Sequence, residues 1–398
     1  MGERRTARAA GIDVPTLCFA VAGIAAAAAL PFVRVRPNRI ADGVSRLLAE
    51  VDPAAAAVLL VLWGIAGVAA IVRMAEGARA RLATLVSIGA PLCAVVAAGF
   101  VTGRIAGTAP IIRVSLSAGF WATAILGYAS FLAASRKIAL EEGLIRRVLG
   151  FSVPVLIGAL LFSGFLDAVS VMREWAVQKT VFLAETTTHL ILAGSAVLAG
   201  CLLGLLIGVL SVRHLLVRRI AFFVLNIVQT IPSLALFGLL IFPLAALSRR
   251  FPLLHEWGIS GIGRAPAILA LSFYAMLPIA RNTFTALAQI PESLRDAGKG
   301  MGMTRRQLLA RVEVPLALPL ILAGVRTAAV QAVGNTVVAA LIGAGGLGIF
   351  IFQGLGQYAA DMILLGTLPV IAMAVIVDTL MGGLVRLLTP KPLREAAA

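Results

Sequence analysis

Apolar runs of about 20 residues recur along the whole chain between short polar segments, and that length crosses a hydrocarbon core as a helix. Backbone polar groups in lipid must be paired internally, and runs this long are helices rather than barrel strands. The pattern predicts an all-α polytopic membrane protein with about ten transmembrane helices. They fall near residues 14–33, 54–72, 82–102, 118–135, 149–168, 188–211, 220–246, 262–288, 316–340 and 362–385. The first follows a basic start (Arg4, Arg5 and Arg8), as a signal peptide would. Its long apolar part and the lack of a clear cleavage site make it an anchor.

Composition supports the class. The chain is 60% hydrophobic and only 13% charged, whereas soluble proteins carry about 25% charge. The net charge of +16 does not point to nucleic acid, because the basic residues lie in short loops between apolar runs. Loop arginines instead report topology. With the N-terminus in the cytoplasm, the inner segments hold 21 Lys and Arg and the outer segments 11. The first outer loop, with Arg34, Arg36, Arg39 and Arg46, runs against this bias. An even helix count returns Lys391 and Arg394 to the cytoplasm. Cys18, Cys93 and Cys201 lie singly in apolar segments and have no metal spacing.

The chain divides in two. Residues 1–168 form a five-helix membrane extension with few polar groups and no motif, read as scaffold or accessory. Residues 169–187 are a connecting segment, and residues 188–388 carry nearly all the polar irregularities. These are QTIPSLAL at 229–236, LPIARNT at 277–283, DAGKGMGMTRRQLLARVEVPLALP at 296–319 and GNTVVAALIGAGGLG at 334–348. Residues 389–398 are a cytoplasmic tail.

The 292–315 segment is too polar to span and falls on the cytoplasmic side. Glu292 to Ala297 can start a short helix, which Gly298, Gly300 and Gly302 then interrupt. Thr304 and Gln307 have capping-box spacing for a second helix. Leu308, Leu309 and Val312 give that helix an apolar side, offered as contact area, while Arg305, Arg306 and Arg311 keep it wet. Pro315 suits the first turn of the next spanning helix. Asp296 can bond across an interface or hold the loop through Lys299 or Arg305. Such a segment is a docking element for a cytoplasmic protein rather than a plain connector.

At these residues the chain resembles the permease subunit of a binding-protein-dependent ABC importer. The family's diagnostic feature is a cytoplasmic Glu-Ala-Ala, a glycine shortly after, and a proline that begins the next helix. Asp296, Ala297 and Gly298, then Gly302, Leu308 and Pro315, occupy that stretch here. Asp replaces the glutamate and Gly298 the second alanine. Five ordered segments, QTIPSLALFGLL, LPIARNTFTAL, GMGMTRRQ, VPLALPLILAGVRTA and AALIGAGGLG, resemble the glycine betaine, carnitine and choline branch. The resemblance implies a bacterial inner-membrane transport subunit for a compatible solute. It also implies two cytoplasmic ABC ATPase subunits that use the ATP, an extracytoplasmic solute-binding protein and a second permease subunit. A homodimer is the default and a heterodimer the alternative. The chain itself binds no cofactor. Two alternatives stay open: a permease of this architecture for an amino acid or sulfonate, and a secondary transporter.

No Walker A lysine is present, so ATP hydrolysis belongs to other subunits. Gly343, Gly345 and Gly348 match GxGxxG, but they close a spanning helix and read as a tight turn near the outer mouth rather than a nucleotide loop. His189, His214 and His255 are far apart, each near a predicted boundary, and read as interfacial or capping residues. No order of nucleophile, base and acid suggests an enzyme. Polar groups inside the core helices are costly in lipid and mark a path or helix contacts. The path candidates are Gln229, Tyr274, Asn282, Arg326, Asn335 and Thr336. Arg326 would either greet a solute carboxylate or form a structural salt bridge. Asp361 and Asp378 read as isolated acids, and Pro232 and Pro278 as kinks or breaks. Trp257, Tyr274 and Tyr358 make no close cage for a quaternary ammonium, which places tight selection in the separate binding protein.

Overall fold

The computed structural model describes residues 12–38, 41–72, 74–107, 111–135, 153, 155–256 and 258–389. Outside the described residues lie Arg4, Arg5, Arg8, Arg39, the basic 136–147 loop, the start of the expected 149–168 span, Trp257, Lys391 and Arg394. The chain forms two compact units, Met1–Val177 and Gln178–Ala398.

The first unit contains α1 (Val14–Ala29), α2 (Leu48–Val51), α3 (Pro53–Ile71), α4 (Glu76–Ala106) and α5 (Ala118–Ser135). Residues 155–162 are also helical. Trp63, Leu59, Phe32 and Val33 are buried at its centre with alanines of α3 and α4. Gly23 is required there, because a Cβ would enter the Trp63 indole. Three short strands, β1 (Val33–Arg36), β2 (Val44–Arg46) and β3 (Arg113–Leu116), form an antiparallel sheet of order β2-β1-β3. Arg34, Arg36 and Arg113 share one face of it by register, and the Arg34 Nε donates to the Gly43 carbonyl at 3.3 Å. The basic first loop is therefore part of a sheet, where it shapes local structure as well as charge.

The second unit opens with the part of α6 (Ser170–Arg213) that follows its kink at Gln178, where the backbone leaves the helical region. This helix is followed by α7 (Leu215–Thr230), α8 (Ser233–Arg250), α9 (Pro252–Glu256), α10 (Arg264–Ala288), α11 (Glu292–Gly300) and α12 (Arg305–Leu308). A π turn over Leu309–Glu313 leads into α13 (Val314–Thr336), which ends in a 3₁₀ segment, Val337–Ile342. The unit closes with α14 (Gly348–Gly356) and α15 (Ala360–Leu388).

Among the described residues, eight helices are long and apolar enough to cross a membrane, against the ten expected. Two of the ten are not among them: the first helix is too short, and the start of the expected 149–168 span lies outside the described residues. The α1 helix stops at Ala29, with 16 residues. From Ser170 the expected connecting segment is helical, with a kink at Gln178. The expected 220–246 span breaks at Ile231, which is extended because the Pro232 ring disfavours a helical residue before it.

Glycine sets how closely α6 meets α10. Gly200, Gly204 and Gly208 face Ala275, Ile279 and Thr283 in a four-residue register; a Cβ on them would come within 2.6, 3.1 and 2.5 Å of those side chains. Small residues at this spacing let membrane helices approach. Gly204→Leu is expected to force the helices apart, and overpacking of this kind costs about 1–3 kcal/mol. A thermal unfolding series on purified protein should place it below wild type and below Gly204→Ala.

Candidate functional site

The 292–315 stretch folds as a compact bracket. The α11 helix runs through Gly298 and Gly300, so neither breaks it, contrary to expectation. Gly302 alone takes a positive φ, +77°. It closes a Schellman motif in which the Met303 N–H donates to Gly298 O at 3.1 Å and the Gly302 N–H to Lys299 O at 2.9 Å. Gly298 serves a different purpose: a Cβ there would sit 2.6 Å from Leu308 Cδ1. Leu308 is thereby buried within the bracket and offers no free contact area, which corrects the expectation. Leu309 and Val312 remain half-buried.

Thr304 and Gln307 form the capping box: the Gln307 N–H donates to Thr304 Oγ1 at 3.3 Å and the Thr304 N–H to Gln307 Oε1 at 2.8 Å. From Arg305 onward the chain stays helical to Ile342. Pro315 starts α13 without a break. It has no N–H and its ring displaces the carbonyl four residues back, and the π turn over Leu309–Glu313 lies where that widening is needed. The second half of the bracket is thus a rigid extension of a spanning helix.

Sequence reasoning missed the residue that fastens the bracket. Arg295 donates from Nε to Glu313 Oε1 at 2.7 Å and from Nη2 to the Leu287 carbonyl at 2.8 Å. One side chain joins the end of α10, the middle of α11 and the start of α13. Ile290 packs below it with Ala286, Leu287 and Ala317. Asp296 and Ala297 are exposed, and Asp296 accepts from Lys299 at 2.9 Å.

Two expected path residues pair across helices. Pro278 has no N–H for the Tyr274 carbonyl one turn earlier, and the Gln229 Nε2 donates to that carbonyl at 2.7 Å. The Tyr274 hydroxyl in turn donates to Ile231 O, at the break before Pro232, at 2.5 Å. The two proline motifs thus satisfy each other's freed backbone, and Pro278 lies within a continuous α10. Thr336 is buried and donates to its own helix at Ala332 O. Asn282 lies against Gly324, where a Cβ would come within 2.8 Å of it. Asn335 is half-buried.

The Arg326 guanidinium meets Asp378 fork to fork, Nε to Oδ1 and Nη2 to Oδ2, both at 2.6 Å. Arg326 is thus ion-paired in this chain, and Asp378 is not isolated. Asp361 is buried at the start of α15 and is not free either.

His189 is neither interfacial nor a cap. It is fully buried within α6 and bridges to the far end of α13. Its Nδ1 accepts from the Leu347 N–H at 3.3 Å, so Nε2 carries the proton and donates to Val333 O at 3.0 Å. One turn earlier, Glu185 Oε2 accepts from the Gly346 N–H at 2.5 Å. The glycine-rich segment is a tight turn, with Gly343, Gly345 and Gly346 at φ of +74°, +87° and +90°.

Residues 196–394, half of the chain, match the family described as "Binding-protein-dependent transport system inner membrane component". The chain belongs to this permease family. Residues 13–172 match "ABC transporter permease YehY, N-terminal domain". The chain is 41% identical over 214 residues to the "Carnitine transport permease protein OpuCB" of Listeria monocytogenes, covering 54% of this chain and 91% of that one. It is 42% identical over 214 residues to the "Osmoprotectant import permease protein OsmW" of Salmonella typhimurium (54% and 94% covered). Against the "Glycine betaine/carnitine/choline transport system permease protein OpuCB" of Bacillus subtilis it is 39% identical over 212 residues (53% and 90% covered). Among solved structures, an inward-facing MetNI methionine ABC transporter aligns at 25% identity and a TM-score of 0.47, covering 53% of this chain and 98% of that one.

The protein is an ABC-importer permease related to the osmoprotectant transporters, a polytopic inner-membrane transport subunit rather than an enzyme. Membership implies the importer assembly: ATPase subunits, a solute-binding protein and paired permeases.

Proposed function

We propose that this permease imports glycine betaine or a related quaternary ammonium osmoprotectant, with its termini in the cytoplasm and two ATPase subunits seated on residues 292–315. The observation that carries the solute class is the identity of about 40% to permeases named for carnitine, glycine betaine and choline, across nearly their full length. Residues 188–388 act as the transport core, residues 1–168 as a membrane extension and 389–398 as a tail. Asp296, Ala297, Gly298, Gly302, Leu308 and Pro315 belong to the coupling bracket. A homodimer closes the path with the fewest components.

The path runs along the side of α13 that the single chain leaves uncovered, where Thr327, Gln331 and Gly334 are exposed one turn apart. Arg326 and Asn335 flank it. Tyr274 is buried with its hydroxyl engaged and Tyr358 lies exposed outside any cluster, so the tight ammonium cage belongs to the binding protein.

Reconstituted uptake of labelled glycine betaine should require ATP, the ATPase and the binding protein together. Uptake by this chain alone, driven by a sodium or proton gradient, would overturn the reading. Uptake of an amino acid or sulfonate in its place would keep the architecture and change the solute.

A further inference from the structure

Arg326 lies 12 residues into α13, and Asp378 lies 10 residues before the end of α15. At 1.5 Å per residue both are roughly 15–18 Å from the bracket ends of their helices, deep in the hydrocarbon zone. Their side chains nevertheless stay 41% and 44% exposed in the single chain. Ions at this depth are expensive against lipid and face a watery cavity or another subunit. The pair is also unsaturated. Nε and Nη2 of Arg326 are used, while among the described residues nothing accepts from Nη1. Gly382, one turn beyond Asp378, keeps that side open, since a Cβ there would stand 3.3 Å from Nη1. The exposed Thr327 and Gln331 adjoin Arg326 on the same helix.

We propose that this ion pair is the intramembrane binding point for a zwitterionic solute. The solute carboxylate takes the Arg326 guanidinium, the quaternary ammonium takes the Asp378 carboxylate, and the pair re-forms as the solute leaves. One ion pair becomes two with no change in net charge, so no unpaired ion is left in a low-dielectric site. A cation without a carboxylate, such as choline, would open the pair and strand Arg326. The site therefore favours zwitterions over cations of similar size. The inference rests on the osmoprotectant reading given above.

The two halves make opposite predictions, which a pair that merely fastens α13 to α15 would not. Arg326→Gln leaves an unpaired acid and should shift the uptake ratio of glycine betaine to choline toward choline by about tenfold or more, the scale of truncating one member of a charge pair. Asp378→Asn leaves an unpaired cation and should shift the ratio toward glycine betaine. Each ratio is taken against wild type with the same ATPase and binding protein, so expression level and the binding protein's own preference cancel. If the single variants do not assemble, Arg326→Gln/Asp378→Asn keeps a neutral hydrogen-bonded pair. Equilibrium binding of labelled glycine betaine and choline to its nanodisc complex should then show lost discrimination. Equal losses for both solutes, or an unchanged ratio in any assembled variant, would make the pair structural and overturn the proposal. Failure of the wild-type complex to import either solute would instead overturn the osmoprotectant reading.

Discussion

Valine at Gly302 is expected to abolish most solute uptake while leaving the permease folded, inserted and bound in its complex. Nothing lies within 4 Å of the Cβ that a substitution would add there, so the effect is conformational and not a clash. The position holds φ at +77°, a region where a β-branched residue is a strained outlier. Strain of this kind costs about 1–3 kcal/mol, and 2 kcal/mol is roughly a 30-fold change in population. It is relieved only by opening the Schellman turn, which redirects α11 against α12. Because α12 runs into α13 as one helix, and Arg295 ties α11 to Glu313, the lost angle is the one an ATPase would push against. Uptake should therefore fall by about tenfold or more, and solute should no longer stimulate ATP hydrolysis. Gly302→Asn should stay near wild type, since asparagine tolerates this region. Asp296→Asn should do little, because its partner Lys299 is an exposed ion pair worth about 0–1 kcal/mol. Normal uptake and normal stimulation in Gly302→Val would make the stretch an ordinary connector.

The same bracket shows what a sequence pattern carries and what it does not. Periodicity and local chemistry were enough for the capping box at Thr304 and Gln307, the start of a helix around Pro315 and a turn among three glycines. They did not separate the glycines, because one is needed for its φ and another for the side chain above it. Gly298 makes room for Leu308, ten residues away, and no local signal encodes that contact. Arg295 and Glu313 were invisible for the same reason: two charges in a polar loop look solvated until the fold brings them to 2.7 Å. The GxxxGxxxG run at Gly200, Gly204 and Gly208 was a legible signal of close helix contact that hydropathy alone passes over. Hydropathy does not show where a helix stops or breaks: α1 ends after 16 residues inside the run expected over 14–33. The Ile231–Pro232 break sits inside a run that reads as continuous. Gln229 and Tyr274 look like path residues by polarity. Only the fold shows that Pro278 and Pro232 free the carbonyls these two side chains occupy.

His189→Ala is expected to give the second large loss, at the other end of the core. The 3₁₀ segment begins at Val337, whose N–H turns to the Gly334 and Asn335 carbonyls. The Val333 carbonyl is left without its helical donor, and His189 Nε2 supplies one at 3.0 Å. Alanine strands that carbonyl and the Leu347 N–H together in a fully buried site, and each orphaned group costs about 1–3 kcal/mol. The lost ring adds a cavity. Glu185 remains on Gly346, so the glycine turn is held by one point instead of two. The turn joins α13, which carries Arg326, to α14 and α15, which carries Asp378, so its loosening reaches both members of the ion pair. The purified protein should lose several degrees of thermal stability, and uptake should fall in parallel. Glutamine at 189 should recover only part, because a flexible amide does not hold both groups at the spacing of the ring nitrogens. Glu185→Gln should be mild, since its carbonyl still accepts from Gly346, whereas Glu185→Ala should approach His189→Ala. A His189→Ala protein with wild-type melting and uptake would mean that the glycine turn is held by its own backbone and that the bridge from α6 is incidental.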